Sequence, residues 1–315
     1  MLKHASRVFH KSLVLWLAIA LAGVCAWAHG VVGDRMFVEP LVTEDANVKN
    51  ELGLPNAQFL VQPDGTWRSI GFSIEKALYP RRFSVTLEES RTYIHDGGHS
   101  LAGWENFELG LKWEAFTSAR HELVLSPVLT LGLPTGSAAV TVRQTSLRPM
   151  LAYGKGFGDL PLRWLRPFGF QGDLGYEATV TGPRDRQLVY DEVLFYSVPY
   201  LNHTVRHADD GYSMEQSLRR GFSGGAVLGN LFPFIEYNAT KAVSGAPGGT
   251  VSTLRPGIVW MGKYVQVSVA ADAPISAPGL AGRRHAGASI LVDWFLDDLF
   301  PPFRWTPFGK YHKDE

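Results

Sequence analysis

Residues 105–134 restrict the fold more than any other stretch of the chain. They read ENFELGLKWEAF, then TSAR, then HELVLSPVLTLGLP. Phe107, Leu109, Leu111, Trp113 and Ala115 fall on every second position, with Glu108, Gly110, Lys112 and Glu114 between them. After the short link, Leu123, Leu125, Leu129, Leu131 and Leu133 share one parity, and Glu122, Ser126, Thr130 and Gly132 share the other. Side chains on a strand alternate faces with period two, so each run has one apolar face and one polar or small face. Each run is about the length of a tilted transmembrane strand, roughly 9–11 residues. The TSAR link makes the pair a tight antiparallel hairpin.

The pattern recurs. Ile70, Phe72 and Ile74 mark one segment, and Phe83, Val85 and Leu87 the next. Leu147, Leu151 and Tyr153 continue it, as do Phe168, Phe170, Leu174 and Tyr176, then Leu194, Tyr196, Val198 and Tyr200. Later segments lie near 215–229, 231–241, 252–261, 264–272 and 284–296, and the links Gly229-Asn230 and Gly262-Lys263 are hairpin signals. The tally is about 12 strands, and no segment of ten residues has helical apolar spacing. Short and long links alternate at both ends of the chain (short at 79–82 and 117–120, long at 95–103 and 134–144), but the two phases disagree across 155–214. One strand is therefore miscounted there or lies before Trp67.

Residues 1–28 carry a basic front with Lys3, Arg7 and Lys11, an uncharged apolar run from Leu13 to Cys25, and Ala26-Trp27-Ala28 as a small-x-small site. This is a secretory signal peptide, with cleavage expected after Ala28 and export across the inner membrane. Cys25 is the chain's only cysteine, so the mature chain has no disulfide, thiolate metal site or cysteine nucleophile. Beyond the signal no apolar run reaches ~18 residues, so a membrane crossing must use strands. Residues 29–65 show no sustained period and are punctuated by Pro40, Pro55 and Pro63. They read as an irregular periplasmic segment with room for a short helix near 43–52. The barrel is then expected over 66–300 and a C-terminal tail over 301–315.

Alternation alone does not say which face is inside. Long strands, a polar parity rich in Gly and charge, a signal peptide and the lack of disulfides favour an all-β, transmembrane, antiparallel up-and-down barrel in the bacterial outer membrane. Trp104, Trp113, Tyr153, Trp164, Tyr176, Trp260, Tyr264 and Trp294 sit near segment ends, as interfacial girdles do. The rival is a secreted soluble β protein. Thirty basic residues balance thirty acidic ones, so nothing points to nucleic acid.

Residues 82–133, with RRFSVTLEES, GWENFELGLKWE and LVLSPVLTLGLPTG, resemble bacterial outer-membrane transporter-type barrels grouped with the phenol meta-cleavage-pathway proteins. The shared strand end is Gly132-Leu133-Pro134-Thr135-Gly136. The resemblance implies a channel or passive transporter for a small solute and carries over no catalytic residue. Such a barrel's partners would be outer-membrane lipid, the barrel-assembly machinery and the solute. Barrels of this kind commonly end on an aromatic residue, whereas here a tail follows the last strand.

Charge on the polar parity is the functional handle. Glu108, Lys112, Glu114, Glu122, Arg143, Arg148, Asp173, Glu177 and Glu236 are expected to line the lumen, where they set selectivity or pair and plug the pore. The chain is expected not to be an enzyme and to need no cofactor, since it has no Walker loop or dinucleotide fingerprint. The alternative is a metal-handling or lipid-modifying barrel. Its weak metal candidates are His29, as the mature N-terminal residue, with His95 and His99 in the Gly-rich HDGGH stretch. His203 and His207, beside Asp209 and Asp210, form a similar cluster, and Asn202-His203 is the nearest hydrolytic candidate.

Overall fold

The computed structural model describes residues 30–62, 65–182, 185–205, 227–244, 249–276 and 286–309. The signal peptide, His29, the cleavage site, His207 and most of the expected 215–229 strand lie outside them. Val227–Asn230, at the end of that stretch, form a 3₁₀ turn.

Twelve antiparallel strands close into a barrel. In chain order they are β1 Glu51–Gln62, β2 Gly65–Tyr79 and β3 Phe83–Asp96. Strand β4 runs in three pieces, His99–Trp104, Phe107–Trp113 and Phe116–Ser118. Then come β5 Leu123–Leu133, β6 Ser146–Gly156, β7 Phe168–Thr179 and β8 Arg186–Tyr196. The last four are β9 Leu231–Ser244, β10 Thr250–Met261, β11 Val265–Ser276 and β12 Ala286–Phe295. Each strand pairs with the next, and β12 pairs with β1 from Phe295↔Glu51 to Ala286↔Val61, which seals the ring.

The strand absent from the alternation count is β1. It lies within the stretch expected to be irregular up to residue 65. Gly53 and Pro55 break its period, and its register slips between Gly53 and Asn56, as a proline at a bulge requires. The expected helix near 43–52 does not form; residues 41–50 are bends and irregular backbone leading into β1. The expected strand over 194–200 ends at Tyr196. Ser197 Oγ accepts from Tyr200 N at 3.1 Å and caps a helical turn with Pro199 in its first positions. The expected long link at 95–103 is a two-residue turn. Gly97 and Gly98 both have positive φ, +55° and +87°, the twist that a tight hairpin needs.

The face assignment follows from exposure. On β4 Lys112 is 2% exposed, while its neighbours Leu111 and Trp113 are 48% and 46% exposed. The same inversion holds on β7, where Asp173 is buried and Leu174 exposed, and on β9, where Glu236 is buried and Ile235 exposed. A soluble β protein buries its apolar parity; this one turns it outward and encloses its charges, the arrangement of a barrel that faces lipid. Phe83 stacks on Trp113, and Phe168 meets Tyr196 edge-on, at the terminal end of the barrel, where the described residues begin at Gly30 and end at Gly309.

The tail folds back at that end. Leu296–Leu299 and Pro301–Arg304 form short turns, Phe308 N donates to Leu78 O at 3.0 Å, and Lys76 Nζ donates to Phe303 O at 2.6 Å.

Candidate functional site

The lumen is occupied by the chain's own residues 30–50. They enter at the terminal end, rise to an apex near Val42 and return to Asn50, where β1 begins. Val31–Val32 and Arg35–Met36 form a small ladder, and the rest is irregular. Irregular backbone is tolerated at membrane depth only where protein satisfies its polar groups. Here the strands do so residue by residue. Gln266 brackets Glu39, accepting from its N–H at 3.1 Å and donating to its carbonyl at 2.7 Å. Gln171 Nε2 donates to Val38 O at 2.9 Å, Asp173 Oδ2 accepts from Glu44 N at 2.8 Å, and Glu114 Oε2 accepts from Val48 N at 3.1 Å.

Glu236 makes the densest contact. Its carboxylate accepts from Leu41 N at 3.1 Å, Val42 N at 2.9 Å, Thr43 N at 2.7 Å and Thr43 Oγ1 at 2.8 Å. Three successive backbone N–H groups thus cradle one buried anion.

Charge is matched as well. Lys112 Nζ lies 2.9 Å from both Glu44 Oε1 and Glu75 Oε2. Lys49 Nζ meets Glu51 Oε2 at 3.0 Å, and also Glu39 and Asp45. Burial opposes the Lys49 charge, but Asp45, Glu39 and Glu51 outweigh it and hold the ammonium well above lysine's ordinary value. At the base, Arg35 Nε lies 3.2 Å from Glu122 Oε2, its guanidinium sits 3.8 Å over the Tyr200 ring, and Tyr200 Oη donates to Glu122 Oε1 at 2.8 Å. Apolar packing completes the plug. Met36, Phe37, Val38 and Leu41 are buried in one cluster with Val124, Val193, Phe195, Phe232 and Met261.

Above the apex the lumen opens as a polar vestibule toward the end opposite the termini. Two contiguous cavities of about 400 and 660 Å³ share Val42, Asn56, Ser73, Glu88, Glu108, Arg148 and Glu177. The outer cavity is lined by four carboxylates, Glu88, Glu105, Glu108 and Glu177, against one guanidinium, Arg148; Glu89 also borders it, but its side chain shares the outward parity of Arg91. Arg148 Nη2 donates to Glu108 at 2.8 Å, and Arg148 Nη1 lies 3.8 Å from Glu177.

Of the charges expected at the lumen, Glu108, Arg148 and Glu177 therefore stand in the vestibule, and Lys112, Glu114, Asp173 and Glu236 hold the plug. Glu122 is not on a strand. It follows the 3₁₀ turn Ala119–His121 at φ +46° and latches the plug's base. Arg143 lies in the 134–145 loop, where its Nε donates to Pro134 O at 3.3 Å, so it is not a wall residue. Glu75, Gln171, Gln266, Arg35 and Lys49 were missed. Their signal was parity plus the need of an irregular segment for acceptors and donors, and that requires knowing the segment is inside.

The histidines do not converge. In the β3–β4 hairpin His95 pairs with Ser100 and Asp96 with His99, so His95 and His99 point to opposite faces. Among the described residues no group of three His, Cys, Asp or Glu side chains is placed to hold a metal ion. His203 lies in the Leu201–Val205 turn, and His29 lies outside the described residues.

No family model and no curated protein matches the chain, so membership of the phenol meta-cleavage-pathway family is not shown. Among solved structures the chain is similar to LpxR from Salmonella typhimurium, at 10% identity and TM-score 0.45, over 78% of this chain and 99% of that one. LpxR is an outer-membrane lipid A deacylase, an enzyme, which overturns the expectation that a chain of this build is not one; a barrel wall is a scaffold on which catalysis is not excluded.

Proposed function

We propose that the protein is an outer-membrane barrel that admits a small cationic solute from outside into its lumen vestibule and passes it inward only when the plug shifts. The terminal end faces the periplasm in this reading, and the vestibule opens to the exterior. The observation that carries it is the vestibule's charge, four carboxylates against one guanidinium, set directly over a plug held in the lumen by hydrogen bonds, ion pairs and packing. Acidic walls of low dielectric raise the local concentration of cations and repel anions. Glu236 is the gate's main latch, because one side chain holds three plug N–H groups. Export through the signal peptide, insertion by the barrel-assembly machinery and residence in outer-membrane lipid belong to the same reading.

The test is single-channel conductance in planar bilayers. Wild-type protein should be closed or nearly so. Glu236→Leu, checked for folding by heat-modifiable gel mobility, should show stepwise openings whose reversal potential in a salt gradient is cation-selective. A folded Glu236→Leu barrel that never conducts, or one that favours anions, would overturn the proposal.

A further inference from the structure

The outer wall carries two cations that the protein does not neutralise. Arg68 on β2 and Arg91 on β3 both belong to the outward parity. Arg91 pairs in register with Ile70, which is exposed, and Arg68 pairs with Tyr93, also exposed. The two arginines are diagonal neighbours on adjacent strands, a separation of roughly 7–8 Å between backbones that long side chains readily close. Arg91 stacks between two rings, its guanidinium 5.4 Å from Tyr93 and 5.6 Å from Trp104. Among the described residues neither guanidinium has an ion pair or a hydrogen-bond partner, and Arg91 Nε is buried without one. The plug's lysines and Arg35 are closely paired with carboxylates, so two unpaired arginines on the lipid-facing side require an explanation. A cation at that position calls for an anion, and among the described residues no carboxylate lies within ion-pair distance of either guanidinium, Glu89 two residues along the same face included.

The geometry points to a phosphate-bearing lipid headgroup as that anion. We infer that Arg68 and Arg91 form a fork for the phosphate of an outer-leaflet glycolipid. Tyr93 and Trp104 are exposed aromatics of the hairpin that turns at Gly97-Gly98, a position that suits headgroup depth near the end of the barrel opposite the termini. One register step further out, His95 Nδ1 and Ser100 Oγ lie 3.0 Å apart on the same face and provide hydrogen bonds for the sugar above the phosphate. Guanidinium suits phosphate because its planar donors bind two oxygens at once. The inference rests on assigning that end to the cell exterior, but not on conduction through the lumen.

Native mass spectrometry of the full-length mature protein in detergent tests it. The probes are a bis-phosphorylated lipid A, the same lipid after dephosphorylation, and inorganic phosphate as competitor. Wild type should retain the phosphorylated lipid at least about tenfold better than the dephosphorylated one, the scale of one charge-assisted fork. R68Q/R91Q should lose that preference, and R68K/R91K should keep part of it. Millimolar inorganic phosphate should not displace the lipid. Equal retention of both lipids by wild type, an undiminished preference in R68Q/R91Q, or full displacement by inorganic phosphate would each overturn the headgroup site. Conductance of R68Q/R91Q in the Glu236→Leu background should be unchanged, which separates this failure from failure of the transport reading.

Discussion

At the scale of single residues, the lumen converts liabilities into a lock. Glu122 would be an unpaired buried carboxylate without Arg35, and Arg35 an unpaired buried guanidinium without Glu122. Breaking a buried pair from one side is expected to cost about 3–5 kcal/mol, whereas replacing both partners with apolar groups costs far less. Arg35→Met alone should therefore lower the unfolding midpoint in denaturant sharply, and Arg35→Met with Glu122→Met should recover most of the loss. Equal damage from the single and double variants would show that the pair is not coupled. Phe37 tests the apolar side of the same segment. It packs edge-on against Phe195 with ring centroids 6.2 Å apart, and Phe37→Ala should destabilise by about 3–5 kcal/mol, read from the same denaturation curves.

At the scale of elements, the plug and the strands were unequally legible. Strands with clean alternation, such as β4, β5 and β7, are visible in sequence because a wall between lipid and lumen imposes period two on every residue. The plug has no period to read. Its order comes from side chains on β4, β5, β7, β9 and β11 that are distant in sequence, so Leu41-Val42-Thr43 acquires a defined shape only around Glu236. The candidate charges were visible by parity, but their division into plug ligands and vestibule lining depends on where 30–50 lies. No cysteine follows Cys25 in the sequence, which makes a direct test of plug motion available. Asn238 Nδ2 lies 3.4 Å from Thr43 Oγ1. Thr43→Cys with Asn238→Cys in the Glu236→Leu background should close the channel on oxidation and reopen it on reduction. Conductance indifferent to redox state would show that the plug is not the gate.

At the scale of the whole molecule, the inverted faces predict an unusual sensitivity. Leu129 lies on the outward face near the middle of β5 and is 43% exposed in the isolated chain. In a soluble protein Leu129→Lys would be nearly neutral. In a barrel it places an ammonium in hydrocarbon and should cost about 2–4 kcal/mol, measured as loss of folded protein in lipid vesicles across a denaturant series. A neutral result would argue that this wall does not meet lipid.

The plug has one more consequence, for the order in which the molecule is put together. Residues 30–50 run directly into β1, and β1 is the strand whose pairing with β12 seals the ring. The segment inside and one lip of the seam are thus neighbours in a single covalent thread. A ring sealed with that thread left outside would enclose Glu236 and Asp173 without the backbone N–H groups they accept from, and leave Lys112 with Glu75 alone. Threading and sealing are therefore bound into one topological act, and the last joint to close is also the doorway through which the stopper hangs.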